Sequence, residues 1–117
     1  GPSAGITMAI ALYSVLVGQP VNNKVAMTGK ISINGQVSAV GGIIAKVEAA
    51  QRAGADKVLL PQKNWKEVFN SDKFSELEIV TINSLEEAVS ETILIDALNG
   101  ENSDLKLNID SCSVPFI

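Results

Sequence analysis

The residue pattern predicts an α/β domain in which helices pack on a small mixed sheet, with one β-hairpin added. From Ile43 onward the chain reads helix, strand, helix, strand, helix, an alternation that favours parallel strand pairing. Before that, Asn34-Gly35 sits between short runs of alternating apolar residues, a strong local hairpin signal. Composition agrees: 46% of the 117 residues are hydrophobic but only 4% aromatic, so Val, Ile, Leu and Ala must build the core. The length fits one compact domain.

Each element has its own signals. Ser3 is placed to cap an apolar helix running to about Val17, and Gly18 with Pro20 ends it. The run Ile6 to Val17 is too short for the roughly 20 residues that span a bilayer, and no basic segment precedes it. A helix buried on nearly all sides is the expectation. Val25 to Thr28 reads as a short strand. Ile31-Ser32-Ile33 and Gln36 to Val40 flank the hairpin turn, for which type I′ geometry with positive φ at both central residues is predicted. Gly41-Gly42 leads into a helix from Ile43 to Ala53, closed by Gly54. Lys57 to Leu60 is a buried strand ended by Pro61, and Asn64 is placed to cap a short helix reaching about Asn70. Glu78 to Ile82 is the last clear strand. Ser84 and Glu87 form a capping box that opens a helix to about Leu98. The expected domain is therefore 1–98, and 99–117 is a polar tail that is either an added strand or disordered.

Charge and cysteine content narrow the function. A net charge of -4 argues against a nucleic-acid surface. Cys112 is the only cysteine, so no intrachain disulfide forms and a reducing, cytoplasmic setting is expected. With no histidine and one thiol, no zinc site is expected, and a Ser-His-Asp triad is impossible. There is no Gly-x-x-x-x-Gly-Lys-Ser/Thr run, so the chain has no phosphate-binding loop of its own. Lys63, Lys66 and Lys73 read as a solvated face and Trp65 as a packing anchor.

A hydrolase without histidine needs another base, and Lys46 is the candidate. Ile43, Lys46, Val47 and Ala50 recur at the spacing of a buried helical stripe. A lysine there commonly snorkels to water. If it stays desolvated, the ammonium form is disfavoured, and the neutral amine can take a proton from a serine hydroxyl. Ser3 is the matching nucleophile. Serine at a helix start is usually a cap, but the unpaired amides of a first helical turn also suit an oxyanion. Thr28 reads equally as an ordinary strand residue or as the group that aims the lysine.

Taken together, these motifs resemble the proteolytic domain of Lon proteases. The likeness rests on Gly1-Pro2-Ser3-Ala4-Gly5, Val25-Ala26-Met27-Thr28-Gly29, Gly35-Gln36-Val37, and Val40-Gly41-Gly42 with Lys46. The serine-to-lysine spacing, Arg52-Ala53-Gly54 and Val58-Leu59-Leu60-Pro61 extend it, so that it covers about residues 1–97. The resemblance implies Ser3 as nucleophile, Lys46 as general base and Thr28 as the residue orienting Lys46. It further implies an ATP-dependent serine endopeptidase degrading unfolded or damaged polypeptides. In such proteases an AAA+ motor, which carries ATP and magnesium outside this segment, feeds a homo-hexameric ring. The alternative is a non-catalytic Lon-like module for assembly or substrate binding, but such modules typically lack the serine or the lysine. Two positions depart from the family pattern. Lys30 replaces the usual glutamate after Thr-Gly, and Ile44 replaces the first lysine of Gly-Gly-x-Lys-x-Lys. The family's strand-rich first half, and its acidic residue two positions before Pro2, would fall before Gly1.

Overall fold

The computed structural model describes residues 2–94. Three parallel strands, β1 (Val25–Met27), β4 (Lys57–Pro61) and β5 (Glu78–Ile82), form a sheet in the order β1-β4-β5. Their register pairs Met27 with Leu59 and Leu59 with Val80. The antiparallel pair is a separate two-stranded sheet, β2 (Lys30–Ile31) with β3 (Val37–Ser38). Among the described residues four helices pack with these strands: α1 (Gly5–Val17), α2 (Ile43–Arg52), α3 (Trp65–Phe69) and α4 (Leu85–Thr92). None is long and apolar enough to cross a membrane.

The sheet separates two cores. On one face Ile6 and Ile10 of α1 and Ala88 of α4 pack on Met27, Leu59 and Ile82. On the other, Ile43, Val47 and Ala50 of α2 and Val68 of α3 pack on Ala26, Val58 and Leu60. Successive strand residues face opposite layers, so β4, the central strand, is apolar on both sides.

Several elements differ from the sequence-based expectation. Ser3 does not cap α1: it lies in a 3-10 turn (Pro2–Ala4), and the cap position is Ala4, without a side-chain hydrogen bond. The helix is also not buried all round. Ile6, Thr7, Ile10 and Ser14 are buried, whereas Met8, Leu12, Val15 and Leu16 are 63%, 61%, 55% and 74% exposed. The hairpin strands are shorter than expected, and the turn is not type I′, since only Gly35 has positive φ (83°). Gly35 N–H donates to Ser32 O at 2.9 Å, and Gln36 follows on as a bulge-type return. Asn64 does not cap α3 with its side chain, which is engaged elsewhere, and α3 ends at Phe69. A 3-10 turn (Asp72–Phe74) not foreseen in the sequence precedes β5.

The serine half of the α4 capping box forms as expected, Ser84 Oγ accepting from Glu87 N–H at 3.2 Å, while Glu87 Oε1 accepts from Asn83 N–H at 3.3 Å and from the Ser84 hydroxyl instead of Ser84 N–H. The helix stops at Thr92 rather than running on, because Ile93 turns extended and bridges to Val21 beside the exit of α1. The remainder of the expected helix and the tail 99–117 lie outside the described residues.

Candidate active site

The chemistry gathers at the carboxyl end of β1. After Met27 the ladder continues through Thr28 N–H, which donates to Leu59 O at 3.1 Å. Gly29 N–H then donates to Ser3 O at 3.1 Å, and Ile6 N–H returns to Gly29 O at 3.3 Å. The serine turn is thus sewn to the strand end by backbone bonds on both sides. Only glycine fits there, because a Cβ on Gly29 would lie 2.9 Å from Val37 Cγ1. Thr28, fully buried, adds a hydroxyl 3.4 Å from the same Ser3 carbonyl.

Lys46 arrives from the first turns of α2. Its N–H donates to Gly42 O at 3.1 Å, and Gly42 holds φ 66° at the head of the helix. The side chain is half-buried on the stripe formed by Ile43, Val47 and Ala50. Its amine donates to Ser3 Oγ at 2.9 Å. The structure therefore brings Ser3 and Lys46 into direct contact. Thr28 joins them differently from the expectation: its hydrogen bond goes to the Ser3 carbonyl, not to the Lys46 amine. The Gly29 amide is a contributor that residue-type reasoning missed. Its one sequence signal was a side-chain-free position directly after Thr28.

The two departures from the family pattern do not reach the pair. Lys30 is exposed in β2, and Ile44 packs on the α2 core. Trp65 packs locally, its ring tilted 60° against Phe69 with centroids 4.5 Å apart, but it stays 41% exposed. Those rings, with Phe74, Ile79 and Thr81, line a cavity of about 600 Å³ that contains neither Ser3 nor Lys46. That cavity holds no nucleophile beside a base, so the Ser3–Lys46 contact defines the candidate site.

Within this α/β domain a serine hydroxyl thus lies beside a lysine amine at a strand end. The comparison with known proteins is specific. A family model described as the Lon protease (S16) C-terminal proteolytic domain matches residues 1–95. The chain is 44% identical over 98 residues to a Lon protease of Methanosarcina barkeri, a match covering 82% of this chain and 12% of that protein. It is 35% identical over 111 residues to Lon protease 2 of Bacillus subtilis, covering 95% of this chain and 20% of the relative. It is 46% identical over 89 residues to Lon protease 2 of Sorangium cellulosum, covering 74% and 11%. This chain belongs to the Lon protease C-terminal proteolytic domain family. It spans no more than about a fifth of the length of these curated relatives.

Proposed function

We propose that this chain is the peptidase part of an ATP-dependent serine endopeptidase that cleaves unfolded or damaged polypeptides. The observation that carries the reading is the 2.9 Å contact between Lys46 Nζ and Ser3 Oγ. In the working direction the neutral amine accepts the Ser3 proton as Oγ attacks the scissile carbonyl carbon. Backbone amides of the turn that carries Ser3 receive the developing oxyanion. The protonated Lys46 then gives its proton to the leaving amine as the C–N bond breaks. The neutral Lys46 amine next takes a proton from water as its oxygen attacks the ester carbon, and gives it to Ser3 Oγ as the acyl C–O bond breaks.

ATP and magnesium belong to an AAA+ module outside this segment, since this chain has no phosphate-binding loop. A hexameric ring working in the cytoplasm is part of the proposal. The rival reading, a non-catalytic module, loses ground because Ser3 and Lys46 are both present and touching.

A serine-reactive acylating probe tests the reading in the native full-length protein. Ser3→Ala should abolish labelling. Lys46→Arg should abolish it too, because guanidinium stays protonated and cannot serve as base. Labelling of Lys46→Arg at the unmodified rate would mean that another group activates Ser3.

A further inference from the structure

We propose that Asn64 is a positioning residue for the Ser3–Lys46 pair, acting through the backbone of Val40 on the start of α2 and so on Lys46. The inference rests on the dyad reading above. Asn64 is 2% exposed and ends the 3-10 turn (Gln62–Asn64) that follows β4. Its carboxamide takes hold of one distant residue twice. Val40 N–H donates to Asn64 Oδ1 at 3.0 Å, and Asn64 Nδ2 donates to Val40 O at 2.9 Å. Nδ2 also donates to Glu67 Oε1 at 3.0 Å. A carboxylate only accepts, so Glu67 fixes which end of the amide carries the donors. The side chain thereby imitates a neighbouring strand, and Val40, 6% exposed, has little access to water as a substitute.

The position of this clamp is what connects it to the chemistry. Val40 is followed by Gly41-Gly42, the most conformationally free pair of residues available to a backbone. Gly42 O accepts the Lys46 N–H, and Lys46 Cε lies 4.0 Å from where a Gly42 Cβ would be. Without a fixed point just before the glycines, the head of α2 can shift and carry Lys46 with it. Ser3 is fixed independently, to Thr28 and Gly29 at the end of β1. Lys46 is referred, through Asn64, to the end of β4. Since β1 and β4 are paired in register, the two reacting groups share one frame; the apolar stripe packs α2 on it, and Asn64 fixes the backbone just before α2.

The test uses the acylation rate of Ser3 by a fluorophosphonate probe in the native full-length protein, well below each variant's Tm. Asn64→Ala removes the clamp. Asn64→Asp keeps the volume and the acceptor for Val40 N–H but sets an oxygen against Val40 O and Glu67. Each should slow acylation about 100-fold, the scale of loss for a small misplacement of reacting groups. Val21→Ala, which opens the core on the other face of the sheet, outside the cluster that holds Val40 and α2, should acylate at the wild-type rate. A double-mutant cycle then separates positioning from general damage. Added to Lys46→Ala, either Asn64 substitution should leave the residual rate unchanged. A further loss in the double variant, or an equal loss in Val21→Ala, overturns this proposal alone. Full acylation by Lys46→Ala overturns the dyad and this proposal with it.

Discussion

Thr28 shows how one buried hydroxyl can serve a site without touching the base. It is fully buried, and its hydrogen bond reaches the Ser3 carbonyl at 3.4 Å. Together with Gly29 N–H it gives that carbonyl two donors from consecutive residues of the strand exit. Thr28→Val keeps the shape and deletes the hydroxyl. The loss of one such bond is worth about 1 kcal/mol, roughly fivefold in acylation rate if the nucleophile's turn loosens. The loss should appear in the acylation rate of Ser3 by the same probe. An unchanged rate in Thr28→Val would show that Gly29 N–H alone holds the serine turn.

At the scale of elements, β4 and α4 are joined by one partly exposed ion pair, Lys57 Nζ to Glu91 Oε1 at 3.0 Å. The hydrogen bond to Glu91 raises the Lys57 pKa, desolvation opposes it, and the Glu91 and Glu78 charges raise it further. A lysine whose folded pKa lies above its unfolded value of about 10.4 stabilises the fold fully below that value. The contribution disappears as pH rises through the raised folded value. With side chains 24% and 34% exposed, solvent screening keeps it small, about 0.5 kcal/mol. The urea midpoint of wild type should exceed that of Glu91→Gln at pH ~8, and the gap should close on the alkaline side. A gap that stays constant to pH ~12 would show that the difference does not come from Lys57 protonation.

For the molecule as a whole, the open face of α1 is the main unresolved energetic demand. Met8, Leu12, Val15 and Leu16 leave apolar surface in water beside a helix whose other side is fully packed. Contiguous apolar surface of this kind drives association. The isolated segment 1–98 should therefore sediment as concentration-dependent assemblies, and Leu12→Glu with Leu16→Glu should shift it toward monomer. A compact monomer at all concentrations in the unsubstituted segment would count against this.

Local signals decided which elements form. The Ser84–Glu87 box, the Gly18 and Gly54 stops and the apolar stripe Ile43-Val47-Ala50 are all short-range features of helix chemistry, and each appears in the structure. Ser3 and Lys46 were legible for a related reason, since a lone lysine on an apolar stripe stands out against its neighbours. What local sequence did not contain is who answers each polar group across the fold. Ser3 and Asn64 both look like helix caps when only the following residues are considered, because a cap is a bond made within one turn. In the folded chain their side chains have long-range partners instead, Lys46 for Ser3 and Val40 for Asn64. The end of α4 follows the same logic: nothing local stops it at Thr92, but pairing Ile93 with Val21 does. Propensity is summed over neighbours in sequence, whereas hydrogen-bond partners are chosen among neighbours in space. The elements were therefore readable in advance, and the geometry of the site was set only when β1 and β4 came together.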